Sequence, residues 1–257
     1  MNDLEYQNHE GIRRSDLFTI FNKTPLHFKY EIDHPKEDTD ALMFGRAAHM
    51  AVLEYDRFVD TYVEAPICDR RTKEGKEIYN AFIAASEGKE VLTHDQMQTI
   101  LDMRSVIVNN PSFERFITGK TETAIFWKDS ETGEVCKIKP DVITEIDGVH
   151  YIVDYKTTDS CADGAFERSV RKYGYKFQAG MYREGCFQTD FNEYKFAFLA
   201  QEKSAPYAAR LYICTDEFCE EGLEQFRYAL NLYHECKVND DWYGYDATTL
   251  LEDGRND

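Results

Sequence analysis

One dipeptide restricts the topology of this chain more than any other. Asp147-Gly148 lies between two short apolar runs, Val142 to Ile146 and Val149 to Val153. An Asp-Gly link of two residues suits the primed turn whose twist matches antiparallel strands, so the spacing predicts a β-hairpin. Side chains alternate along a strand, which puts His150, Ile152, Asp154 and Lys156 on one face and Val149, Tyr151 and Val153 on the other. Asp141 sits at the start of the first strand. Closing the hairpin therefore carries its carboxylate toward Asp154 on the second strand, and Lys156 points the same way as Asp154.

Two carboxylates and a lysine at one spot have a chemical use. Hard cations such as Mg²⁺ bind one or two carboxylates and keep several waters; they serve phosphate chemistry by polarising the phosphoryl oxygen and acidifying a bound water. A lysine two residues beyond the second carboxylate can orient or deprotonate that water, or offset charge growing on the phosphate. The competing reading is a strand-end ion pair between Asp154 and Lys156, worth ~0–1 kcal/mol. The Asp141 partner across the hairpin and the apolar run leading into Asp154 favour the site.

Upstream, Asp40 to Glu54 reads as a helix that is apolar nearly all round, which predicts burial. Its polar side chains, Arg46 and His49, are three apart and share a face. A lone histidine on such a helix is ordinarily a core residue. With Arg46 beside it and a carboxylate site required nearby, His49 is assigned instead as a metal ligand.

These residues resemble a known family. Pro140-Asp141 followed by Asp154-Tyr155-Lys156 is similar to the PD-(D/E)XK nuclease signature. Gly45-Arg46-Ala47-Ala48-His49, Asp154-Tyr155-Lys156-Thr157-Thr158 and Gln178-Ala179-Gly180-Met181-Tyr182 resemble the G-x-x-x-H, D-x-K-T and Q-x-x-x-Y motifs of RecB-like nucleases. Order and spacing are most similar to the exonuclease VIII (RecE) nuclease domains, across residues 10–240. Each motif alone is weak, whereas three in order are specific. The resemblance implies an α/β, restriction-endonuclease-like core (αβββαβ) and an exonuclease dependent on Mg²⁺ or Mn²⁺. Its substrate would be linear double-stranded DNA, degraded from an end, 5′ to 3′, in recombination and repair. A ring-shaped homo-oligomer and a single-strand annealing protein as partner are implied as well.

Chemistry and resemblance together assign roles. Asp141 and Asp154 hold the metal, the Tyr155 carbonyl is a further ligand, and His49 completes the site. An imidazole suits Mn²⁺ better than Mg²⁺, so either metal is expected to serve. Lys156 positions and activates water. Glu122, on the neighbouring strand, is a ligand, a group steadying one, or a solvent-facing glutamate. Gln178 and Tyr182, one turn apart on a helix, hold the scissile strand or Lys156, and Arg46 contacts phosphate.

The net charge of −18 runs against a nucleic-acid enzyme, because phosphate binding rests on Lys and Arg. Two local clusters remain: Arg70, Arg71 and Lys73 with Lys76, and Arg168 to Lys176, which is interleaved with aromatics. An acidic exterior around a basic channel reconciles the two facts. No run of about eighteen apolar residues marks a membrane span. Met-Asn-Asp-Leu-Glu-Tyr lacks a secretory pattern, and seven cysteines without a C-x-x-C pair read as reduced thiols, which together predict a cytoplasmic protein. Some RecB-like nucleases carry a cysteine-held iron–sulfur cluster, and this spacing does not support one.

The remaining pattern predicts helices over Ser15 to Asn22, from Pro25 to Tyr30, over Glu74 to Ser86, and from a Thr93-x-x-Gln96 capping box to Asn109. Phe58 to Ala65, Glu122 to Trp127, Val135 to Ile138, Glu193 to Ala200 and Ala208 to Cys214 read as strands, Phe177 to Phe187 and Thr215 to Lys237 as helices. The expected architecture is one nuclease domain over 1–240: a helical part (1–118), a mixed sheet of about five strands flanked by helices (119–214), and a C-terminal helix, with a tail over 241–257. Two function classes compete, a metal-dependent nuclease and a non-catalytic nucleic-acid-binding or scaffold protein on a nuclease fold. Decay usually removes a carboxylate or the lysine, and all three are present. A site-specific endonuclease would need groove-reading elements, and no separate recognition module is legible.

Overall fold

The computed structural model describes residues 3–35 and 39–248. After α1 (Asp3–Asn8) and β1 (Ile12–Arg13), α2 (Arg14–Asn22) opens one residue earlier than Ser15 would start it, because Asp16 accepts from the Arg13 backbone and guanidinium. Thr24 caps α3 (Pro25–Asp33), and Thr39 caps α4 (Asp40–Leu53). Only the C-terminal half of α4 is covered: Ala47, Ala48, Ala51 and Val52 are buried, whereas Ala41 and Leu42 are exposed. The all-round apolar pattern therefore overstated its burial, since packing partners reach one side and one end.

The stretch from Phe58 is helical at first. Tyr55, Phe58 and Tyr62 fall on one helical face and pack ring on ring, so α5 (Tyr55–Thr61) precedes a short β2 (Tyr62–Glu64). Thr72 caps α6 (Lys73–Ala85), β3 (Glu90–Leu92) pairs parallel with β2, and α7 (His94–Val108) opens with the Thr93–Gln96 capping box. Next comes α8 (Pro111–Ile117).

The strands then follow as β4 (Lys120–Thr121), β5 (Ile125–Lys128), β6 (Val135–Ile138), β7 (Val142–Ile146) and β8 (Val149–Thr158). Asp147 and Gly148 both take positive φ, 54° and 79°, and register Ile146 on Val149 and Val142 on Val153, as the turn requires. After β8, α9 (Asp163–Tyr173) and α10 (Tyr175–Asp190) form the crossover to β9 (Tyr194–Glu202), which lies parallel to β8; β10 (Ala209–Ile213) and α11 (Asp216–Asn239) complete the order. The main sheet runs β10-β9-β8-β7-β4. The expected strand from Glu122 to Trp127 is split. Glu122 turns at φ 48°, and Pro140 has no N–H to extend a ladder, so β5 and β6 leave the main sheet and join β1 in a separate three-stranded one.

Helices cover both faces of the main sheet. On one, Val52, Ile107 and Phe116 pack with Val142, Val153, Tyr155 and Leu199; on the other, Phe177, Met181 and Phe226 pack with Ile152, Phe196 and Phe198. α10 and α11 approach closely because neither has a side chain at the contact. A Cβ on Gly180 would lie 2.1 Å from the Leu223 nitrogen, and one on Gly222 only 1.9 Å from the Lys176 carbonyl oxygen. Trp242, expected in a tail, packs on Phe28 at 5.4 Å between ring centroids, and Tyr243 accepts from the Leu26 N–H. Residues 249–257 of that tail lie outside the described residues. No helix among the described residues is long and apolar enough to cross a membrane.

Candidate active site

The site forms at the ends of β7 and β8, where helices from the two faces of the sheet meet. Asp141 precedes β7, and its Oδ2 accepts from the Tyr155 N–H at 2.8 Å, so the hairpin register itself fixes this carboxylate beside β8. Asp154 is 3% exposed. Its Oδ1 accepts from Gln178 Nε2 on α10. Its Oδ2 lies 2.5 Å from Lys156 Nζ, but the approach lacks hydrogen-bond alignment and leaves that buried oxygen without a hydrogen bond. From the opposite face, α4 brings His49 Nδ1 to 3.4 Å from Asp141 Oδ2, with the imidazole edge-on to the Tyr155 ring at 4.9 Å.

Burial and crowding set the electrostatics. Asp141 is pushed well above the usual carboxylate range by burial first, then by the Asp154 and Glu122 charges. Burial takes His49 down to about 4 against the pull of Asp154, and Lys156 and Lys139 push in the same direction as burial. The imidazole is therefore neutral at pH 7, the form that ligates metals. Contact with Asp141 is accordingly not an ion pair.

Eight of the residues singled out in the sequence thus come together or border the cluster: His49, Glu122, Asp141, Asp154, Tyr155, Lys156, Gln178 and Tyr182. Tyr182 packs on Phe196, and burial followed by the Asp154 charge raises its hydroxyl. Gln178 binds Asp154 rather than Lys156, because a buried carboxylate facing α10 needs a hydrogen-bond donor. Glu122 is near enough to act on Asp141, and its side chain pairs with Lys139. Arg46 points elsewhere, 3.9 Å from Glu90 on β3. Arg70 lies over the Tyr79 ring, Arg71 pairs with Asp69 and Lys73 with Glu77, so this basic group is held on the exposed start of α6 and does not touch the cluster.

Three residues escaped sequence reasoning. Lys139 was legible as the neighbour of Pro140-Asp141. Tyr175, whose ring lies 4.8 Å from Lys156 Nζ, and Arg14, whose charge acts with that of Asp154, depend on the α9–α10 junction and carry no local signal.

Whether these residues fit a divalent metal can be tested on the donors themselves. Among the described residues, no group of three or more His, Cys, Asp or Glu side chains is arranged to hold a metal ion. Mg²⁺ does not need one, since it takes one or two carboxylates and retains waters. The buried Asp154 Oδ2, which accepts no hydrogen bond, lies beside the Asp141 carboxylate and the neutral His49 Nδ1, an oxygen and nitrogen donor set that a divalent cation fits, with the Lys156 ammonium next to it.

The sequence over residues 15–247 matches the family described as PDDEXK-like domain of unknown function (DUF3799). The chain belongs to this PDDEXK-like family. A crystal structure from Eubacterium rectale described as a "putative exonuclease" superposes on the DUF3799 protein with a TM-score of 0.62, at 16% identity, over 97% of this chain and 96% of that one. At that identity the likeness establishes the fold, and it agrees with the PDDEXK-like topology around Asp141 and Asp154. A second solved structure, SSO0001, reaches a TM-score of 0.38 at 15% identity over 89% of this chain and 81% of that one, too low to bear on the fold. No curated protein matches the sequence at a significant level.

Proposed function

We propose that this PDDEXK-like protein is a metal-dependent deoxyribonuclease acting exonucleolytically on the ends of linear double-stranded DNA, 5′ to 3′, in recombination and repair. The observation that carries the reading is the carboxylate pair Asp141 and buried Asp154, with one Asp154 oxygen left without a hydrogen bond and Lys156 beside it. Asp141 and Asp154 would hold Mg²⁺ or Mn²⁺, with the Tyr155 carbonyl and neutral His49 as further ligands, and the ion would supply phosphoryl polarisation and an acidic water there. Lys156 places an ammonium next to the carboxylates, where it orients the attacking water or offsets charge on the phosphate. Gln178 fixes the Asp154 rotamer, and Glu122 holds Lys139 at the rim. Double-stranded DNA ends are the proposed partner, with a single-strand annealing protein and a homo-oligomeric ring as the assembly. The described strands form the five-stranded sheet and two smaller ones of three and two strands, and none of the described elements reads as a separate groove-reading module, which favours ends over sites.

The test is incubation with linear and covalently closed circular DNA in Mg²⁺, Mn²⁺ or chelator. Degradation of the linear form alone, in metal alone, is expected. Discrete fragments from the closed circle would replace the exonuclease by an endonuclease, and no cleavage in any metal would leave a non-catalytic binding protein.

A further inference from the structure

The basic and aromatic stretch at the end of α9 is not used by the chemistry above, yet it leads directly out of the site. Lys156 Nζ lies over the Tyr175 ring at 4.8 Å, and the Tyr175 ring stacks with that of Tyr173, centroids 5.9 Å apart at 27°. Tyr175 is buried, whereas Tyr173 is 47% exposed. Lys172 Nζ lies 5.0 Å from the Tyr173 centroid, and Arg168 and Arg171 are exposed on the same helix. A single ring thus separates the candidate catalytic lysine from a second, open one with a cation over it.

A solvent-exposed tyrosine by itself means little. This one is held in place. Arg14 Nη2 donates to the carbonyl oxygens of both Tyr173 and Gly174. Gly174 takes φ 64°, and a Cβ there would sit 2.1 Å from Phe18, so the backbone that presents the ring is fixed from α2 as well. An exposed aromatic on a rigid backbone, with basic side chains alongside, has the composition of a single-strand stacking platform.

We propose that Tyr173 stacks on an unpaired base of the substrate strand, with Lys172 moving from the ring to the phosphate of that nucleotide, so that the strand reaching the carboxylates is single-stranded at this point. Bases inside a duplex are covered on both faces by their neighbours, so the platform selects a frayed or overhanging end. This deepens the nuclease reading and rests on it for the identity of the strand. Tyr173 is a positioning residue here, not part of the chemistry.

The experiment uses an oligothymidylate carrying one 2-aminopurine, titrated with the whole protein in chelator, where metal-dependent cleavage cannot consume it. Stacking on a tyrosine quenches 2-aminopurine, so wild type is expected to quench the probe. Tyr173→Ala and Tyr173→Leu should both lose the quench and bind about tenfold more weakly, while Tyr173→Trp retains both. A melt of each variant confirms the fold, and the Leu variant keeps an apolar group there without an aromatic face. Quenching and binding by Tyr173→Leu at the wild-type level would overturn the platform even if linear DNA is degraded normally. Tyr173-dependent quenching by a protein that cleaves nothing in any metal would uphold the platform and overturn the nuclease reading instead.

Discussion

Gln178→Leu separates two roles for the residue that opens the Gln178 to Tyr182 motif. Sequence reasoning placed Gln178 on the scissile strand or on Lys156, but its amide donates to Asp154 Oδ1, the one hydrogen bond this carboxylate accepts among the described residues. Gln178 is 5% exposed, so the variant leaves a buried carboxylate with no donor and little access to water. Hydrogen bonds to charged groups contribute roughly 1.5–3 kcal/mol, and Leu fills most of the amide volume, so cavity formation adds little. For a chain of this size that range corresponds to a fall in melting midpoint of roughly 3–12 °C. Scanning calorimetry in chelator should show this fall, the added stability from Mn²⁺ should shrink as Asp154 loses its orientation, and DNA affinity in chelator should stay unchanged. An unchanged melting midpoint together with weakened DNA binding would refute the argument and return Gln178 to the DNA.

Three further outcomes are expected. Lys156→Ala should slow single-turnover cleavage by about 10²-fold or more, because the ammonium beside Asp154 is lost, and near-normal cleavage would remove Lys156 from the chemistry. His49→Ala should shift the metal-free melt by no more than the equivalent of about 1 kcal/mol, since the side chain is 28% exposed, while the stability gained on adding Mn²⁺ and the cleavage rate both fall; a large metal-free loss with normal cleavage would make it a core histidine. Burial raises the Asp129 carboxyl, but the Thr132 N–H and hydroxyl and the Arg227 guanidinium outweigh it and hold the group below its ordinary value. Its contribution is therefore present above the ordinary carboxylate range and lost as pH falls through the depressed value; Arg227→Met should lower stability at pH 7 by roughly 1.5–3 kcal/mol and flatten the acid limb of stability against pH, as followed by urea melts.

The hairpin and its carboxylates were legible because their causes are local. Asp147-Gly148 sets the turn, the turn sets the register, and the register puts Asp141 beside the Tyr155 N–H. The Thr93–Gln96 capping box was likewise written next to the helix it starts. What failed depended on distant partners. Glu122 to Trp127 has strand composition throughout, but the positive φ at Glu122 and the pairing of β6 with β1 divert half of it to another sheet. Leu42 is exposed while Ala47, Ala48, Ala51 and Val52 are buried, and no periodicity in α4 reports that division. Arg14 was invisible for a similar reason: its partners, the carbonyls of Tyr173 and Gly174, are more than a hundred residues away.

The net charge of −18 and the proposed substrate are reconciled by where charge is concentrated. Acidic residues on α11 such as Glu217, Glu220 and Glu224 are spread over solvent-facing surface, where screening limits their reach to about a Debye length, ~10 Å at 0.1 M salt. Lys156 lies against Asp154 and Lys139 against Glu122 instead, at 20% and 19% side-chain exposure, and the charges of Arg14 and Asp154 act on each other there. In that less polar setting each cation acts more strongly than a surface one. The Asp154 charge acts against that of Asp141 across the hairpin, and Gln178 on α10 holds Asp154 in place. An isolated strand-end ion pair would need none of this support. Helices from both faces of the sheet, a buried donor from α10 and a neutral histidine from α4 all converge on two carboxylates that a surface location would have left solvated, and that convergence is what a cation-binding role requires of the fold.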